Sequence, residues 1–258
     1  MPTPFYHLFL GEALLKSSHL PDGILRLLLP FHKEFLFGNT APDVQVISGQ
    51  PRQETHFFNL PLHKGDQLAW EKMLNEQPLL QPGKLFGNRG AFIAGYLCHL
   101  QADWLWATDI FSPVFGLHSG WATFQKRLYY HNVLRAYLDR QILPQLTIGL
   151  DVGLSQVEPN GWLPFVLDRY LTRWRDYLYP QLKPGAQVHT VEIFSYRQRI
   201  SANEYYALLD SDERMTQEVF AHLPIELLEN FEQRVLEENI LLLSKYLAPS
   251  LQLLFTPN

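Results

Sequence analysis

The sequence predicts an all-α fold, a multi-helix bundle with a buried central helix and additional C-terminal helices. Three observations lead there. Alternating apolar and polar residues, the strand signature, are scarce. Apolar residues recur at helical spacing in successive segments, as Phe5, Leu8 and Phe9 do near the start. The most apolar stretch, residues 91–107, is broken by His99, Gln101 and Asp103, which suits the interior of a soluble bundle better than a lipid-facing span.

The elements follow in order. A helix is expected over Phe5 to Lys16, and a shorter one over Pro21 to Leu29, with proline near its start. Residues 37–51 are rich in Gly, Asn, Pro and Asp and read as loop. Lys64 to Glu76 reads as an amphipathic helix stopping before Pro78, and Gln81 to Gly90 as a turn-rich linker. Gly90 to Phe111 is apolar nearly all round and forms the central helix. Pro113 to Gly120 reads as loop, and Trp121 to Leu143 as a long helix stopped at Pro144. Residues 145–160 are irregular and divide the chain into a core over 1–145 and a C-terminal helical region over 146–258, packed on the same domain. Trp162 to Tyr179 reads as helix, and Val188 to Phe194 as a possible short strand. Ser201 and Glu204 have capping-box spacing, and Glu226 to Leu247 forms a final helix with its acidic residues on a solvated face.

Composition narrows the class. The chain has 258 residues, enough for a substantial core. Charged residues make up 18%, below the roughly 25% of an average soluble protein, and 47% are hydrophobic, so disorder is excluded. A net charge of −5 speaks against a nucleic-acid partner. The lone Cys98 allows no internal disulfide, and the start shows neither a basic n-region nor an uninterrupted apolar core. A cytoplasmic location is the expectation.

The sharpest chemical feature is H-L-Q-A-D, His99 to Asp103. Four residues apart on a helix, the two side chains share a face, and an imidazole and a carboxylate there can hold a divalent metal. A buried carboxylate without a cation or hydrogen bonds costs several kcal/mol, so Asp103 needs a partner. Gly95, one turn earlier on that face, would leave room for a substrate or a second ligand. A self-satisfied His–Asp pair is the bland alternative, and spacing alone favours it. Three further candidates shift the balance: His7, Asp43 after Pro42, and His56 in E-T-H-F-F. Histidine with carboxylate suits zinc in a site with open positions.

F-Y-H-L-F-L-G-E (5–12), G-N-T-A-P-D (38–43), E-T-H-F-F (54–58) and A-G-Y-L-C-H-L-Q-A-D (94–103) occur in one order. In these motifs the first half of the chain resembles the zinc-dependent phospholipase C family, whose fold is a phospholipase C/P1 nuclease-like helical bundle. The resemblance implies that Asp43, His56 and His99 bind one zinc, and that Asp103 bridges to a second held also by His7. It implies a metal-activated water attacking phosphorus, with the Asp43 position considered as general base. It further implies a third metal at His118 and His131, but the glutamate of that pattern is replaced by Arg135, which cannot ligate. Asp139, two turns past His131, could substitute only with a different geometry, and Arg135 could instead supply a fixed positive charge for a phosphate. Secreted members also use the mature terminal amine as a ligand, and Met1 stands only six residues before His7. One or two zinc ions are therefore expected.

The remaining histidines, His19, His32, His63, His189 and His222, read as surface or helix-end residues. Trp104, Trp106, Phe111 and Phe115 read mostly as core, with one or two free to line an apolar cleft. Three functions stay open. The first is a phosphodiester hydrolase acting on a phospholipid or a smaller phosphodiester, with transient contact to a membrane surface. The second is a nuclease-like activity on single strands. The third is a divergent metal-binding protein without turnover.

Overall fold

The computed structural model describes residues 1–255 except Lys84, Phe86 and Ala122, and of residues 252–255 the backbone only. Every regular element among them is helical, and no strand occurs. The all-α expectation therefore holds. In order the helices are α1 (Pro4–Lys16), α2 (Asp22–Leu28), α3 (His32–Gly38), α4 (Gln45–Ser48), α5 (Arg52–His56), α6 (Ala69–Glu76) and α7 (Gly87–Leu105). They continue with α8 (Ser112–Phe115), α9 (Phe124–Ile142), α10 (Leu150–Ser155), α11 (Asp168–Leu178), α12 (Thr190–Gln198), α13 (Ala202–Leu209), α14 (Asp212–Arg214) and α15 (Ile225–Phe255).

The central helix is α7, whose residues Gly90 to Asp103 are all buried. It runs on into a π-helical turn, Trp106–Phe111, before α8. The helices α1, α2, α3, α6 and α15 all pack on it. The approach of α3 is set by two glycines. A Cβ on Gly95 would lie 2.0 Å from the Phe35 carbonyl oxygen, and one on Gly38 would lie 2.1 Å from that of Phe92. The space expected beside Gly95 for a ligand is thus filled by the backbone of α3, and the glycine serves close helix packing. Buried apolar residues form one cluster from Phe5 to Leu247, so the core continues across residue 145.

Local chemistry explains the helix starts. Thr3 caps α1 by accepting from the Tyr6 amide, Thr123 caps α9 by accepting from Lys126, and Ser201 caps α13 by accepting from Asn203. Other boundaries differ from expectation. The predicted loop over 37–51 contains α4 and a helical turn, Ala41–Val44, while α3 before it gave no recognisable start signal. Residues 64–68 precede α6 rather than belonging to it, because Asp66 closes a turn by accepting from the His63 amide. Of the strand suggested over Val188 to Phe194, residues 190–194 are instead the start of α12, and Val188 and His189 precede it. The irregular stretch 145–160 holds α10, which packs on α3. The expected 81–90 linker and the start of the helix expected at Trp121 fall partly outside the described residues, at Lys84, Phe86 and Ala122. Among the described residues no helix is long and apolar enough to cross a membrane.

Candidate metal centre

Three segments meet at the face of α7 that carries His99 and Asp103. The first turns of α1 bring His7, the helical turn after α3 brings Asp43, and α5 brings Arg52 and His56. Cross-links fix them. The Tyr96 hydroxyl donates to the Thr55 carbonyl at 2.6 Å, pinning α5 to α7. The Trp174 indole donates to the Thr40 carbonyl at 2.9 Å, holding the turn that carries Asp43 against α11. His7, His56, His99 and Asp103 are buried, while Asp43 keeps 20% of its side chain exposed.

The donor atoms converge. His7 Nε2 lies 3.2 Å from Asp103 Oδ1. His56 Nε2 lies 3.5 Å from both Asp43 Oδ1 and Asp103 Oδ2, and His99 Nε2 lies 3.7 Å from Asp103 Oδ2. The His7 and His99 rings stack with centroids 3.7 Å apart. Two sets are close enough to hold an ion: His7 with His99 and Asp103, and Asp43 with His56 and His99.

Hydrogen bonds from outside the cluster set the tautomers. His99 Nδ1 lies 2.8 Å from the Asn39 carbonyl oxygen, which can only accept, so the ring proton sits on Nδ1. His56 Nδ1 lies 2.9 Å from Thr55 Oγ1, and that hydroxyl lies 3.2 Å from the Arg52 carbonyl oxygen, so Thr55 can accept a ring proton from Nδ1 while donating to the carbonyl. With both ring protons on Nδ1, the two Nε2 lone pairs face inward, 3.4 Å apart. Two lone pairs and two carboxylates turned on one another are unfavourable unless a cation lies between them. His7 Nδ1 is buried without a hydrogen-bond partner, and His7 Nε2 and Asp103 Oδ1, 3.2 Å apart, are buried with no partner but each other, as atoms reserved for such a cation would be.

Protonation fits the same purpose. Burial, with His7 next in weight, takes His99 down to about 3. Burial and the Arg52 guanidinium lower His56. Burial drives the Asp103 carboxyl up, but His99, His7 and Arg52 outweigh it and hold it well below the usual carboxylate range. Burial likewise raises Asp43, and His56 and His99 more than offset it. Neutral imidazoles beside ionised carboxylates are the forms that bind metal. These buried groups can hold a metal ion.

Arg52 is the charged member of the cluster that sequence reading passed over. Its Nη2 donates to Asp103 Oδ2, and its guanidinium lies 4.6 Å from the centre of the Phe58 ring. A signal was present: Arg52 and His56 stand four apart on α5, the same one-turn spacing as His99 and Asp103.

The expected third site does not join the cluster. His118 lies on an exposed turn between α8 and α9. His131 is buried, but Trp106 Nε1 donates to its Nε2 at 3.0 Å, and Phe111 and Phe115 pack against its ring. Its lone pair is spent, and burial with the Arg135 charge keeps the ring neutral. Asp139 accepts from Thr3 and Thr190 and offers no free oxygen. Comparison with protein-family models, curated proteins and solved structures finds no match to this chain.

Proposed function

We propose that the protein is a zinc-dependent phosphodiester hydrolase of the phospholipase C type. The carrying observation is the convergence of Nε2 of His56 and Nε2 of His99, the rings oriented by Thr55 and Asn39, with the carboxylates of Asp43 and Asp103. Mixed nitrogen and oxygen donors suit zinc, and the four motifs of the first half of the chain support the family. A divalent ion bound here would polarise a phosphoryl oxygen and lower the pKa of water.

The chain's own residues supply the rest. Asp43 is the partly exposed carboxylate and lines a cavity, where it can accept a proton from an attacking water or serve as a ligand. Arg52 lines the same cavity and presents positive charge to a phosphoryl oxygen. Phe111, Leu128, Trp174 and Phe194 provide apolar wall for the organic part of a phospholipid or another phosphodiester.

One contact favours a second reading, metal binding without turnover: Arg52 already neutralises Asp103 and can stand in for part of the charge of an ion. Elemental analysis of the purified protein before and after zinc addition tests the shared premise. Bound zinc that is lost in His99→Ala and Asp103→Ala is expected, and no zinc in the wild type would reject both readings. Assays on bis-p-nitrophenyl phosphate, phosphatidylcholine and single-stranded DNA then separate phospholipase, nuclease and non-catalytic outcomes.

A further inference from the structure

The cavity beside the cluster has a volume of about 490 Å³, within the range of small-molecule sites and far more than a bare phosphate fills. Its ionised lining, among the described residues, is three guanidiniums, Arg52, Arg135 and Arg197, against the single carboxylate of Asp43. Arg52 is committed to Asp103. Arg135 is committed to no carboxylate: among the described residues it forms no ion pair.

Its partners are neutral. Arg135 Nη1 donates to the Met1 carbonyl at 3.1 Å, Nη2 donates to Asn132 Oδ1, and the buried Nε donates to nothing. The guanidinium lies 4.2 Å from the centre of the Phe194 ring. Asp139, one turn further along α9, is taken by Thr3 and Thr190. Burial lowers Arg135 to about 10, which leaves it charged at neutral pH, and the adjacent His131 is neutral. Asp139 and Asp43 act on Arg135 only through their field, without an ion pair; a partly buried cation so placed is costly to keep, and its planar fork matches a phosphate. Arg197, exposed on the same wall, adds a second cation.

We propose that this cavity is an anion-binding site in which Arg135 grips the phosphate of an organic phosphate whose apolar part lies on Trp174, Tyr177, Ile193 and Phe194. That the phosphate is a substrate rests on the hydrolase reading; that it binds does not.

The test is calorimetric titration of the full chain, zinc-loaded and metal-free, with inorganic phosphate and with phenyl phosphate. Phenyl phosphate binds the wild type more tightly than phosphate, by about tenfold for one buried ring. Arg135→Gln weakens both by roughly tenfold or more, the weight of a hydrogen bond to a charged group, and leaves the zinc content unchanged. Arg135→Lys, which keeps the charge and loses the fork, falls between. Undiminished affinity in a folded Arg135→Gln overturns the proposal. Should that variant not fold, the wild type decides: its melting temperature rises with added phosphate, and no rise is equally fatal. Phosphate binding lost in Arg135→Gln without any phosphodiesterase activity in the wild type upholds the anion site and removes the hydrolase reading. Activity in the wild type with unchanged phosphate affinity in Arg135→Gln does the reverse.

Discussion

His56 Nε2 and His99 Nε2 face each other at 3.4 Å. Each ring reaches that state through its far nitrogen, His56 through Thr55 Oγ1 and His99 through the Asn39 carbonyl. Neither outer partner touches the centre, and both determine what the centre can bind. Outer partners of this kind orient the ring and fix its tautomer.

Thr55→Val removes the acceptor for the His56 ring proton and keeps the side chain's shape. Valine fills nearly the same volume at this fully buried position, so the change costs little packing. Zinc affinity falls by about tenfold to hundredfold, the usual cost of losing such a partner, while the far-ultraviolet circular dichroism stays unchanged. A competitive titration against a zinc-binding dye measures it, and wild-type affinity in the variant would show that Thr55 does not set the tautomer.

Gly95→Ala tests the contact that brings Asn39 to His99. The added Cβ would stand 2.0 Å from the Phe35 carbonyl, so α3 must move away from α7. Overpacking against backbone destabilises by about 1–3 kcal/mol or more. The Asn39 carbonyl moves with α3, so zinc affinity drops together with the urea midpoint. Loss of stability with unchanged zinc affinity would break the link between this packing and the site.

The legible part of the site was the part written in side chains at helical spacing. His99 and Asp103 announce themselves four residues apart, and His7, Asp43 and His56 sit in short motifs with a shared order. The carbonyl of Asn39 carries no such mark, because every residue has one. Gly95 illustrates the same limit in reverse: absence of a side chain reads equally as room for a ligand or as room for a neighbouring backbone, and only the position of α3 decides. His131 matched a ligand pattern, but its lone pair is taken by Trp106, which stands on a different helical segment. The helical class survived local errors at α4 and α12 because short segments follow tertiary packing, whereas α7 is long and apolar enough to declare itself.

Acid weakens the metal-free protein. His99 is held at about 3 by burial and the neighbouring His7, below the ordinary value of about 6.5. The unfolded chain therefore takes up a proton that the folded chain refuses, and stability falls as pH drops from about 6.5 toward about 3. His56 and His131 act in the same direction. Asp139 opposes them: burial raises it to about 7 against its hydrogen bonds from Thr190 and Thr3, so its contribution is complete at low pH and is lost as pH rises through about 7. The urea midpoint of the metal-free wild type falls between pH 7 and pH 5, and falls more steeply in Asp139→Asn, which lacks the opposing carboxyl. A midpoint flat over that range would contradict the neutral, buried state of these imidazoles.

Arg52 controls how many ions the cluster takes. His99 has one inward lone pair, because its Nδ1 is bonded to Asn39, so it serves only one of the two sets to which it belongs. A second ion requires Asp103 to bridge, with Oδ1 toward His7 and Oδ2 toward His56 and His99. Oδ1 faces only His7 Nε2, at 3.2 Å, but Oδ2 is held by Arg52. With the guanidinium in place the expected uptake is one zinc per cluster; Arg52→Met frees Oδ2, and elemental analysis after saturation is expected to find two. The same substitution leaves Asp103 buried without its cation, which destabilises the metal-free protein by about 3–5 kcal/mol, and zinc restores what the arginine supplied. The melting temperature of the variant therefore depends on zinc far more strongly than that of the wild type. An Arg52→Met protein that melts early, takes up a single ion and gains no more from zinc than the wild type would make Arg52 a structural partner of Asp103 and nothing more.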